Sequence, residues 1–306
     1  MNPRPHNHCS KQKRPQGEKR MTIAAGFVAR DGIVLCADTQ ETYGDLLKIN
    51  TSKILIRPDE YLPGPRVIFA GAGHGPFIDK LANEAWKRVY AKTPQGSFSE
   101  VCDEIESSLK DTHEEFGRIY QPGTMPSAEM IYGVASEGRI GLFRATGPIV
   151  NPVEKYASVG IGLYLADYIH DRLGLASAGL ADHGWYEILA VYLLQQAKDY
   201  ISGCGGDSHV LTLGRNGKIR VVDRADVMLI ANHVKQLDRN SSSVLMSTAD
   251  LDLSDRELEG RIEIFLTLAR NLRKEQKADR QRIEAWRQRN PLSPDMNAED
   301  DDAPKQ

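Results

Sequence analysis

A strand-like apolar stretch begins abruptly at Thr22, behind twenty-one residues that contain almost nothing to bury, and this boundary constrains the fold more than any other feature. Thr22 to Ala29 is apolar, Arg30, Asp31 and Gly32 form a turn, and Ile33 to Ala37 is a second apolar run, so a β-hairpin is expected to start at Thr22. Before it, Arg4, Lys11, Lys13, Arg14, Lys19 and Arg20 lie among Pro, His, Asn and Gln, a composition that cannot offset the entropy of ordering. Residues 1–21 are therefore expected to be a disordered leader, a propeptide, or a stretch upstream of a true start at Met21. His6, His8 and Cys9 lack a fourth ligand, and no metal site is assigned to them.

Further strands are expected at Lys53–Ile56 and Val67–Phe69, then two helices. The first carries Phe77, Ile78, Leu81, Ala85, Trp86 and Val89, and the second opens on a Ser97/Glu100 capping box. Strands resume near Met130–Ala135, Ile140–Phe143 and Tyr156–Val159. Helices at Leu163–Leu173 and Trp185–Asp199 follow, then strands at His209–Leu213 and Ile219–Val222, joined through an Asn216–Gly217 turn of the two-residue hairpin kind. Runs of antiparallel strands alternating with helix pairs predict an α+β fold, a four-layer αββα sandwich of two antiparallel sheets. This domain is expected to span residues 22–228. Residues 229–306 form an extension: a polar stretch around Asn240–Ser243, a Ser254/Glu257 capping box, a long helix over about 255–289, and an acidic tail expected to be disordered.

With 306 residues and 41% hydrophobic content the chain can bury a full core, while a net charge of −3 provides no general field for nucleic acid or membrane. Cys9, Cys36, Cys102 and Cys204 show no paired spacing, no apolar run reaches membrane-spanning length, and residues 1–20 lack the apolar centre of a signal peptide. A cytoplasmic protein that binds neither nucleic acid nor membrane is expected.

Gly71, Gly73 and Gly75 sit where a dinucleotide fingerprint would sit, but Pro76 replaces its last glycine. Gly160 and Gly162 lack a third glycine, and neither a G-x-S-x-G elbow nor an H-E-x-x-H pair is found, so no cofactor or metal is expected. Asp38, at the end of the run Ile33–Ala37, is different. A carboxylate there requires a cation, and Lys53 heads the next strand. The pair reads equally as structural or catalytic.

The run from Thr22 through Gly26, Asp31, Gly32, Val34, Ala37, Asp38, Thr42 and Gly44 to Lys53 and Ile54 resembles the mature start of proteasome β subunits and their bacterial relative, the HslV peptidase. Asp38 follows Thr22 by sixteen positions, the step that separates the family's motif Asp from its N-terminal Thr. The resemblance implies that Thr22 is the nucleophile, with Lys53 (Lys48 a weaker candidate) as the lysine beside it and the Gly71 N–H facing the oxyanion. It also implies that Asp199 and Ser202, in Asp199–Gly203, bracket the Thr22 amine. Glu41, Thr42 and Phe69 fall at positions that shape the substrate site.

What the resemblance implies is a threonine-type endopeptidase or amidohydrolase. A Thr hydroxyl is a poor nucleophile until a base takes its proton, and a free α-amino group with a pKa of about 7.7 to 8.0 can serve. An acyl-enzyme on Thr22 would then be hydrolysed. Two departures stand out. Ile161 replaces the Ser of the family's G-S-G turn, and Met21, not Gly, precedes Thr22; removal of an initiator Met21 would free the Thr22 amine without self-processing. Cys36 or Cys204 as nucleophile has no His placed to activate it. The alternatives are an inactive scaffold or assembly subunit and a non-peptide amidase on the same fold. Implied partners are a polypeptide substrate, further copies of the chain in a ring or partial ring, and an unfolding ATPase that no motif here supports.

Overall fold

The computed structural model describes residues 22–43, 47–58, 64–121, 123–173 and 181–289; the expected leader and acidic tail lie outside the described residues. In chain order the elements are β1 (Ile23–Val28), β2 (Gly32–Asp38), β3 (Gln40–Tyr43), β4 (Leu47–Asn50), β5 (Ile54–Arg57), β6 (Arg66–Gly73), α1 (Gly75–Lys92) and α2 (Phe98–Ile119). Then come β7 (Ala128–Ser136), β8 (Arg139–Thr146), β9 (Ile149–Val153), β10 (Tyr156–Gly160), α3 (Leu163–Arg172), α4 (His183–Tyr200), β11 (Ser208–Gly214), β12 (Ile219–Val221), α5 (Arg224–Ala249) and α6 (Asp255–Arg289).

Among the described residues the strands form two five-stranded antiparallel sheets, ordered β10-β1-β2-β11-β12 and β5-β6-β7-β8-β9, with β3 and β4 as a separate ribbon. Side chains alternate across each strand, and both faces of both sheets are apolar. Ile23, Ala25 and Phe27 pack outward with α3 and α4, joined by Leu189, Leu193 and Leu194. Ala24, Leu35 and Ala37 point inward, against Ile68, Ile131 and Leu142 of the second sheet. The outer face of that sheet, with Val67, Phe69, Met130 and Tyr132, lies under Phe77, Leu81, Val89, Ile105 and Leu109 of α1 and α2. This is the expected αββα sandwich.

The local signals explain the boundaries. The Ser97 hydroxyl accepts from Glu100 N–H while Glu100 accepts from Ser97 N–H at 2.8 Å, and Ser254 and Glu257 repeat the arrangement at the head of α6. The glycine-rich segment 71–75 is a strand-to-helix turn: Gly73 has φ +125°, the His74 ring accepts from Phe77 N–H, and Pro76 occupies the first turn of α1.

Three expectations are revised. The polar stretch Asn240–Ser243 lies inside α5, which also runs through residue 228. Its hydroxyls bond back to the preceding turn, Ser241 and Ser242 to the Asp238 carbonyl and Ser247 to that of Ser243. In the β11–β12 turn only Gly217 takes a positive φ, and Asn216 Oδ1 instead accepts from Lys218 N–H. The β3–β4 ribbon is an addition.

Candidate active site

The β1–β2 register pairs Ala24 with Ala37, so Asp38 lies across from the head of β1, and Ile23 N–H donates to its Oδ1 at 3.2 Å. Thr22, 5% exposed, occupies the next position. Lys53 enters from the other sheet, one residue ahead of β5, and its ammonium donates to Thr22 Oγ1 at 2.7 Å, to Asp38 Oδ1 at 2.8 Å and to the Gln40 carbonyl at 2.5 Å. An ammonium has three N–H donors, and all three are engaged. Asp38 is fully buried, and its Oδ2 accepts from Gly205 N–H at 3.0 Å.

This arrangement places a positive charge in contact with one hydroxyl, held by a carboxylate that is itself fixed by two backbone amides. A nearby cation favours an oxyanion on Thr22. Gly160, with φ +94°, ends β10 directly opposite Ile23 and passes the Thr22 carbonyl so closely that a Cβ there would lie 2.1 Å from the oxygen.

Thr22, Asp38 and Lys53 are thus brought together. Gly71 lies in the adjacent strand of the second sheet, on β6, beside Ala72, whose Cβ is within 3.0 Å of the Gly160 Cβ position. Asp199 accepts from Gln195 at 3.0 Å and from Lys235 of α5 at 3.1 Å. Those hydrogen bonds hold its carboxyl below the ordinary value even though burial acts the other way. Its hydrogen bonds among the described residues run within α4 and to α5, and none of them reaches Thr22. Ser202, just past α4, is exposed.

Phe69 also departs from its expected role. It is 0% exposed and packs on Tyr132 beneath α1 and α2, the sheet face opposite the one that meets Ala24. Strand alternation therefore turns it away from the substrate site. Glu41 is half-buried on β3; together with burial, the larger effect, its charge raises the Asp79 carboxyl, against the pull of Arg57. The side chains of Thr42 and Lys48 lie outside the described residues. Burial pushes both the Cys36 and Cys204 thiols up to about 12, so neither offers a thiolate at neutral pH. Among the described residues no group of His, Cys, Asp and Glu is gathered to hold a metal, and no helix is long and apolar enough to cross a membrane.

Two features escaped the sequence reading. The Gly205–Ser208 segment is stitched to residues 38–40: Gly205 O accepts from Gln40 N–H, Asp207 O from Thr39 N–H, and Asp207 N–H donates to Thr39 Oγ1 at 2.7 Å. Lys198 donates to the Gly206 carbonyl and to Ser208 Oγ, both at 2.7 Å. The only hint in sequence was the unusual run Gly203, Cys204, Gly205, Gly206.

No protein-family model and no curated protein matches the sequence. Solved structures do match. The chain is similar to Anbu, the ancestral β-subunit, from Yersinia bercovieri, at 13% identity over 75% of this chain and 98% of that one, with a TM-score of 0.58. It is similar to Anbu from Hyphomicrobium sp. strain MC1, at 15% identity over 72% and 97%, with a TM-score of 0.57. A structure described as a helical assembly of the Anbu complex from Pseudomonas aeruginosa matches at 14% identity over 74% and 96%, with a TM-score of 0.59. These structures overturn the specific resemblance to proteasome β subunits and HslV, because Anbu is a family distinct from both. The Thr-to-Asp step follows from the length of the β1–β2 hairpin and its register, a property of the shared fold. The fold, an αββα sandwich, is the one that these Anbu structures share.

Proposed function

We propose that the protein is an N-terminal threonine hydrolase that cleaves amide bonds, most naturally peptide bonds, through an acyl-enzyme on Thr22. The observation that carries this reading is the 2.7 Å contact from Lys53 Nζ to Thr22 Oγ1, with Asp38 behind the lysine. In the proposed reaction the Thr22 α-amine takes the hydroxyl proton as Oγ1 attacks the carbonyl carbon, and Lys53 stabilises the oxygen as it loses that proton. The Gly71 N–H donates to the tetrahedral oxyanion, a contact worth about 2.7 to 4 kcal/mol in comparable sites. The amine returns the proton to the leaving nitrogen, and water then hydrolyses the ester. Glu41 and Thr42 border the substrate.

The chemistry requires a free amine on Thr22, supplied by initiator Met21 removal or by cleavage after residue 21. The proposed setting is the reducing cytoplasm, with a polypeptide substrate and several copies of the chain assembled together, as the Pseudomonas aeruginosa complex is assembled. An ATPase partner has no supporting motif.

A second reading, an inactive scaffold of the same fold, is favoured by Ile161, 43% exposed where a catalytic neighbour's hydroxyl was expected. Intact-mass analysis with an N-terminal-threonine-directed epoxyketone separates the two. The hydrolase begins at Thr22 and gains the inhibitor's mass, and Thr22→Ala does not. A chain beginning at Thr22 that never labels is the scaffold.

A further inference from the structure

Lys198 is a half-buried cation that the proposed chemistry leaves unused, and its position is specific. It projects from the last turn of α4 and meets the Gly206 carbonyl and the Ser208 hydroxyl, each at 2.7 Å. The segment that it holds is the one whose Gly205 N–H fixes Asp38 Oδ2 and whose Gly205 and Asp207 carbonyls take the N–H groups of Gln40 and Thr39. Both partners that orient Lys53 apart from Thr22, the Asp38 carboxylate and the Gln40 carbonyl, are therefore seated on this segment.

The segment cannot hold its shape by local preference alone. Gly206 takes φ +68°, and a Cβ there would lie 2.4 Å from both Asn50 Oδ1 and Thr39 Oγ1. Two neighbouring glycines leave the backbone with wide freedom, so an external anchor is needed to select one conformation. Lys198 holds the segment at two points, the Gly206 carbonyl and the Ser208 hydroxyl.

We propose that Lys198 is a positioning residue for the Thr22 site, acting through the Gly205–Ser208 segment on Asp38 and Gln40 and through them on Lys53. The inference rests on the threonine-hydrolase reading for its kinetic consequence, but its structural part stands without it. Burial holds the ammonium below the ordinary lysine range; Asp38, Asp207 and Cys204 oppose that shift and Lys53 adds to it. The charge of Lys198 is thus felt within the same cluster.

The test uses Lys198→Met and Lys198→Arg in the full chain, with the N-terminus checked by intact mass. The rate of epoxyketone modification at saturation should fall roughly 10- to 100-fold in Lys198→Met, since a displacement of about 1 Å has that effect on oriented groups. Inhibitor affinity should hold, and Lys198→Arg, which can reach both oxygens, should restore most of the rate. Amide hydrogen exchange, read by mass spectrometry, should speed up in Lys198→Met over residues 38–40 and 205–208 and nowhere else. Unchanged exchange there overturns the proposal whatever the labelling shows, and so does a loss of protection spread over both sheets, which marks a general packing role. A wild-type protein that never labels sinks the hydrolase reading alone; the exchange pattern then decides the positioning role.

Discussion

The Thr22 carbonyl and Gly160 approach so closely that a Cβ on residue 160 would stand 2.1 Å from the carbonyl oxygen, and Gly160 meets this with φ +94°. Gly160→Ala faces both a clash with backbone and a left-handed conformation, and it should cost more than about 1 kcal/mol in chemical denaturation. Because the atom displaced belongs to Thr22, epoxyketone labelling should fall further than the stability loss explains. A variant that keeps wild-type stability and labelling would show that the head of β1 is free to move.

Lys53→Met removes the cation from a carboxylate that is 0% exposed. Breaking such a pair from one side typically costs about 3 to 5 kcal/mol, because the remaining charge is left buried. The double variant Lys53→Met with Asp38→Leu should be more stable than the single one. Denaturant titrations of wild type, both single variants and the double form the cycle that checks this, and additive costs would refute the coupling.

The thiols set an alkaline limit. Burial, with a smaller push from Asp38, raises Cys36 and Cys204 from an ordinary 9.0 to about 12. The unfolded chain ionises these groups first, so the folded state holds more protons between pH 9 and 12 and its stability falls as pH rises through that window. Below pH 9 their contribution is fully present. Each thiol adds up to about 1.4 kcal/mol per pH unit to the slope. The Cys36→Ala, Cys204→Ala double variant should show a shallower decline of the urea midpoint on the alkaline side, and equal slopes would count against the assignment.

Ser97→Ala tests stability away from the site. It removes one half of the capping box at the start of α2 and should cost about 0.5 to 2 kcal/mol. Thermal denaturation should register the loss while the labelling rate at Thr22 stays at the wild-type value.

Local chemistry carried most of what was legible in sequence. Apolar alternation from Thr22, the turn at Arg30–Gly32 and the capping boxes at Ser97 and Ser254 act within a few residues, and each led to its element. Asp38 was conspicuous because a carboxylate closing an apolar strand requires a cation. What escaped depends on contacts between distant segments. Asp199 sat in a motif beside Thr22 on paper, yet Lys235, thirty-six residues on, engages it. Phe69 has an apolar residue on either side, so nothing in its neighbourhood tells which sheet face it takes. Ser241 and Ser242 look like loop formers until their hydroxyls find the carbonyl one turn back.

None of the described side chains of α6 is buried, whereas β2 is buried along its whole length. A helix that packs on α5 yet buries none of its described side chains has little free energy to lose when it frays, while β2 can open only when the sandwich does. The chain therefore spans a wide range of local opening energies, with α6 near the bottom and the strand that carries Asp38 near the top. A protease admitted to native protein would be expected to trim the helix long before it reached the residues around Thr22.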